Sequence, residues 1–148
     1  MSHAEALHAL EPDSGATDAL VGLVDGLAYA ALPAEVRHYA KRHLLDTVGV
    51  MIAGAQGNVA SEAEAVLSAV RPAGGVPVPG RARRADLLDA AFLAGTAAHG
   101  IELDDGYRHG SAHCGCVVVP AALAEAYGRR AGYGRNYYPA MVRLIEKA

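Results

Sequence analysis

Apolar residues recur along this chain at the three-to-four-residue spacing of α-helices, and strand-type alternation is nearly absent. Leu20, Leu23, Val24 and Leu27 predict a first helix, capped by Asp13 or Ser14 and running to Ala30. Leu32-Pro33-Ala34-Glu35 ends it and opens a second, with Pro in the first turn and Glu35 suited to the helix dipole. There Val36, Ala40, Leu44, Val48 and Met51 or Ile52 form one apolar stripe, closed by Gly54 and Gly57. A shorter helix follows over about 59–70. The Pro/Gly-rich run 71–80 cannot be helical and leaves room for extended chain at 76–78. Asp86 is placed to cap a helix through Leu87, Leu88, Ala91, Phe92 and Gly95 to about His99. A last strong helix begins between Val117 and Pro120 and runs to Arg130, and 137–148 is expected to form a short terminal helix.

The expected architecture is therefore all-α, a compact domain of about five to six helices over 15–131. A leader precedes it at 1–14, and a divergent segment follows at 132–148. Composition agrees: 52% of the 148 residues are hydrophobic, only 5% are aromatic and none is Trp. Such a core is built from Ala, Leu and Val, and Ala and Leu are strong helix formers. The net charge of −3 and the short basic run Arg81, Arg83, Arg84 give no nucleic-acid footprint. The apolar runs are too short to span a bilayer, and the N-terminus lacks a signal-peptide pattern. Two cysteines one residue apart make no secreted-type disulfide framework. A cytoplasmic protein is expected.

The chemistry concentrates in the 24 residues Ala97–Pro120, which carry Glu102, Asp104, Asp105, His99, His109, His113, Arg108, Cys114 and Cys116. Glycines at 100, 106, 110 and 115 keep this stretch from forming one helix. In a helical or turn-like register Glu102 and Asp105 share a face and Asp104 points elsewhere. Clustered carboxylates raise one another's proton affinity, so one can serve as a general acid; the alternative is solvated loop acids, with Asp105 supporting a turn. His113, just before the apolar run 117–119, is the best candidate to move a proton near neutral pH, against the alternative of a histidine satisfied by a carbonyl. The remaining histidines, His3, His8, His38 and His43, are expected at the surface. His109, His113, Cys114 and Cys116 have zinc-type side chains, but their spacing is cramped and no second ligand pair accompanies them, so no metal is expected. Adjacent side chains seldom face each other, which weakens a Cys114–His113 nucleophile pair. Neither GxGxxG nor GxxxxGK[ST] follows a strand, and Gly95–Ala98 reads as close helix packing.

The run Asp86–Ala126, DLLDAAFLAGTAAHGIELDDGYRHGSAHCGCVVVPAALAEA, resembles the MmgE/PrpD family. That family's "aa-F-x-x-G-t-x-A-H-x-x-D-x-D-D" run is matched by Ala90–Asp105, its "H-P-G" by His113 and Gly115, and its "V-x-P-A-A-L-A-x-A-E" by Val119–Glu125. Leu32–Ala55 is similar to its "L-P-x-x-v-x-x-x-A-k-x-x-l-L-D-t-l-G-x-x-l-a-G" segment, and the likeness extends over about Ala19–Ala131. The resemblance implies part of a large helical domain and a lyase, such as 2-methylcitrate dehydratase, acting beside a carboxylate of a small di- or tricarboxylate. Decarboxylases and epimerases of the same family are the alternatives. It further implies no metal or organic cofactor and a homodimer. His113 takes the place of the family's active-site histidine, Glu102 that of the first acid, and Asp104 and Asp105 that of the following pair. His113 with Glu102 or Asp105 would then handle protons, while Arg108, Asp104 and Gly106 would line the substrate. Glu102 stands for the usual Asp, Gly106 for a frequent Thr and Cys114 for Pro. Family members are far longer and carry a second, α/β lid domain. The expectation is therefore a chain incomplete as an enzyme on its own, completed by another copy or a complementary subunit; a non-catalytic helical binding module is the competing reading.

Overall fold

The computed structural model describes residues 15–130. The leader, the divergent C-terminal segment and its expected helix lie outside these. Five α-helices are present among the described residues: α1 (Ala16–Gly26), α2 (Ala34–Gly54), α3 (Asn58–Val70), α4 (Leu87–His99) and α5 (Gly115–Arg130). The all-α expectation holds, with one two-stranded antiparallel ribbon added. In it β1 (Val76–Pro77) pairs with β2 (Arg84–Ala85), Val76 opposite Ala85. No helix among the described residues is long and apolar enough to cross a membrane.

Two boundaries and one buried stripe differ from the sequence expectation. Helix α1 stops at Gly26 rather than Ala30, because the chain turns extended at Leu27 and then makes a short 3-10 turn at Tyr29–Ala31. The Arg37 guanidinium accounts for that turn by donating to the carbonyls of Tyr29 (3.3 Å) and Leu32 (2.7 Å), which a continued helix would have used internally. The buried stripe of α2 is Thr47, Met51 and Gly54, while Val36 and Ile52 are half exposed. Helix α5 begins at Gly115, earlier than the apolar run suggested, because an upstream side chain caps it, as described below.

The core is built from small residues. Ala94 and Ala98 of α4 pack with Met51, while Ala97 packs with Ala55 and Ala60. Ala90, Leu93 and Ala124 pack with Val76 and Ala85 of the ribbon and with Val78 just after β1. Side chains this short let backbones meet: a Cβ on Gly54 would stand 1.9 Å from the carbonyl oxygen of Ala97. The α4 start is fixed as the sequence foretold. Asp86 accepts the N–H of Asp89 at 2.9 Å, and Arg71, just past α3, pairs with Asp86 and with the buried Asp89 carboxylate. Helix α4 is thus clamped at its N-cap and first turn and packed against α2, α3 and α5, which fixes where its last residue, His99, emerges. Replacing Gly54 by Ala should cost about 1–3 kcal/mol, because a methyl meets backbone rather than a movable side chain. Urea unfolding measures this, and an unchanged midpoint would contradict the close α2–α4 contact.

Candidate active site

Helix α4 ends at His99, and the chain must then turn sharply to reach the start of α5. It does so through Glu102, whose φ of +53° lies in the left-handed region and whose N–H donates to the His99 carbonyl at 3.0 Å. That conformation costs an L-residue about 1–2 kcal/mol and persists only where the surroundings impose it. What imposes it here is the next turn of chain, which buries Asp104 and docks Asp105. Beyond them Tyr107 and Ala112 exchange backbone hydrogen bonds (2.7 and 3.3 Å), closing a small loop that returns the chain to His113.

Asp104 is the centre of the site. Its side chain is only 1% exposed, and one oxygen, Oδ2, faces two imidazoles: Nδ1 of His99 at 2.9 Å and Nδ1 of His113 at 3.4 Å. The two rings meet edge-on, with centroids 5.0 Å apart. Burial pushes the Asp104 carboxyl up, but His99, the Cys116 thiol and its own backbone N–H outweigh that and hold it below the usual range. An ionised carboxylate only accepts, so His99 Nδ1 carries the proton and donates it to Oδ2. The hydrogen bond to Asp104, reinforced by its charge, raises the His99 pKa.

Asp105 does different work. Its Oδ1 accepts the Gly115 N–H at 2.7 Å, so it caps α5 where free N–H groups and the helix dipole favour an anion. A Cβ at 115 would lie 2.3 Å from that oxygen and 2.7 Å from Thr47 Oγ1, so the cap requires glycine. Cys116 donates to the His113 carbonyl at 3.2 Å. Burial, then the hydrogen bond with Asp104 and the charges of Asp104 and Asp105, push its thiol up to about 11, so at neutral pH it is no nucleophile.

Against the sequence expectation, it is Asp104 that turns inward to His113, not Glu102 and Asp105 on a shared face. The register argument assumed helical or turn-like spacing, and the positive φ at Glu102 breaks it. Glu102 is largely exposed, with one oxygen 4.0 Å from His99 Nε2. Arg108 is exposed, and Gly106 has open space where a side chain would stand. His109 lies against the Tyr107 ring and Cys114 is exposed, so these two do not join Asp104. The residue that sequence reasoning passed over is His99. It is the histidine of the "A-H" motif, and its position as the last residue of α4, five before Asp104, was the available signal.

The linkage is explicit. Because the folded pKa of His99 is raised above its ordinary 6.5, its stabilising contribution is full below that value and fades as pH rises through the folded pKa. The lowered Asp104 contributes above its ordinary 3.8 and loses that as pH falls through its folded pKa. The pair therefore stabilises most between these limits. Asp104→Asn should return the His99 pKa toward its ordinary value, read from the ring-proton shifts in an NMR titration. An unshifted His99 would contradict the pairing.

Comparison with known proteins adds identity to this geometry. The chain is 29% identical over 134 residues to the cis-aconitate decarboxylase-like protein oryM of Aspergillus oryzae, covering 90% of this chain and 28% of that protein. It thus spans little more than a quarter of the relative's length. No solved structure matches it. The model of the MmgE/PrpD N-terminal domain matches residues 18–144, which include every helix described above except the first two residues of α1. The chain belongs to the MmgE/PrpD family.

Proposed function

We propose that this chain carries the proton-transferring part of a lyase for small di- or tricarboxylates, with 2-methylcitrate dehydration as the leading reaction. The observation that supports this most is His113, half exposed and backed by the buried, ionised Asp104 at 3.4 Å. With Nδ1 turned to that carboxylate, Nε2 is the nitrogen left to meet a substrate. Dehydration and epimerisation both begin by removing a proton from the carbon beside a carboxylate, and a positioned imidazole is suited to that step. The departing hydroxyl needs an acid, a role we give to Glu102, which is exposed and beside His99. Arg108 is the loop's cation for a substrate carboxylate and for the charge that develops on the enolate. Asp104 and Asp105 act as positioning residues, the first through the two rings and the second through α5, and the open space at Gly106 admits substrate.

The Aspergillus relative's name favours a second reading, decarboxylation of cis-aconitate. That reaction ends by delivering a proton to carbon, which His113 can perform in its protonated state. Either reaction would draw on further residues, and we propose a second copy of the chain or a complementary subunit as a source of them. The full chain, with any co-purifying partner, should convert 2-methylcitrate or cis-aconitate, followed by ultraviolet absorbance for the unsaturated product and by carbon dioxide release for the second reading. His113→Gln should then lower turnover at least ~10²-fold. An unchanged rate removes His113 from the chemistry, and no conversion of either acid counts against the lyase reading.

A further inference from the structure

Helices α3, α4 and α5 lie side by side in one layer. Helix α3 runs antiparallel to α4. A Cβ on Gly100, just past α4, would stand 3.3 Å from Val59 Cβ, and Arg71, just past α3, pairs with Asp86 and Asp89 at the start of α4. Helix α5 flanks α4 at Gly95. The inner face of this layer rests on α2 and the ribbon. Helix α4 turns Ala90 to the ribbon and Ala94 and Ala98 to Met51, and α5 turns Cys116, Val119 and Leu123 to Met51 as well. Helix α3 offers Ser61, Glu64 and Ser68 to Arg81 and Arg83 of the loop joining β1 to β2. Helical register places the positions a third to half a turn away on the outer face, and these are apolar rather than polar. Val59, Val66 and Val70 recur along α3, Leu88 and Phe92 along α4, and Val117 stands on α5. All six are 52–73% exposed.

From this arrangement we infer that the outer face of α3, α4 and α5 is the surface on which a second copy of the chain packs. Charge favours a second copy over other occupants. The outer positions between the six, Ala63, Thr96 and Ala121, are uncharged, so the face meets its own copy without like-charge repulsion and offers nothing to a charged partner. Area agrees. Burying a side chain of this kind removes roughly 60–120 Å² from water, so the six leave about 350 Å² of apolar surface bare. That is of the order of the apolar share of the ~800 Å² each partner gives to a standard interface. His99 follows Phe92 by seven residues on the same side of α4, so the face runs to the edge of the candidate active site. A copy seated there adjoins a loop whose one Lys or Arg is Arg108. The inference gives the second copy invoked for the lyase a place to sit. It is read without substrate, so its failure and the failure of the lyase reading are distinguishable.

The test is sedimentation velocity on the purified full chain across the micromolar range. The inference predicts a reversible dimer of twice the chain's mass. Phe92→Glu and Val66→Glu, both at exposed positions and so tolerable to the fold, should each weaken it about tenfold or more, with the far-ultraviolet circular dichroism unchanged. Leu45→Glu, which alters an equally exposed apolar residue of α2 outside this face, should leave the dimer intact. A chain that stays monomeric throughout that range overturns the assignment. So does a dimer that Leu45→Glu breaks while Phe92→Glu and Val66→Glu do not.

Discussion

A carboxylate taken out of water must find compensating partners or give up its charge, and that requirement organises this molecule. Asp104 keeps its charge because the His99 imidazole donates to it and a second imidazole stands close by. The consequences run outward in both directions. Inward, the burial fixes the turn that holds Glu102 at a positive φ, and it sets Asp105 on the first N–H of α5. Outward, it holds two rings together at the surface with their Nδ1 atoms turned toward one oxygen.

The scaffold serves that arrangement through closeness rather than bulk. Helix α4 meets α2 at Gly54 and α5 at Gly95, where a Cβ would lie 2.8 Å from the Cys116 carbonyl oxygen. Pro120 has no N–H to offer that carbonyl, so the interior proline of α5 leaves it without its usual helical partner where α4 passes. Alanine at 90, 94, 97 and 98 keeps the remaining contacts short. Small displacements of α4 would move His99 directly, which makes the Arg71 clamp on Asp86 and Asp89 relevant to the site at the helix's other end.

Much of this was legible in the residues. The Asp86 cap, the glycine ends of α2, the extended break near Val76 and the loop between the last two described helices all follow from local rules, and the structure keeps them. The motif also located the site's stretch of chain. Two kinds of information were not local. Which of three neighbouring acids turns inward depends on one left-handed residue, Glu102, whose identity does not announce that backbone. The stripe of α2 promised burial along its whole length, yet its buried residues Thr47, Met51 and Gly54 all lie in its second half, because burial is decided by neighbours that periodicity does not name. His99 was read as part of a helix end, and only the fold brings it over Asp104.

The claim beneath all of this is that one buried carboxylate holds the proton of His99 and turns the His113 ring toward itself. Long-range ¹H–¹⁵N correlation of the histidine side chains near pH 7.5 tests it most directly. The account predicts a Nδ1-bound proton on His99, slow to exchange and shifted downfield by its hydrogen bond, with His113 Nδ1 likewise turned to the carboxylate. Neutral Nε2–H tautomers with fast-exchanging protons on both rings would contradict it.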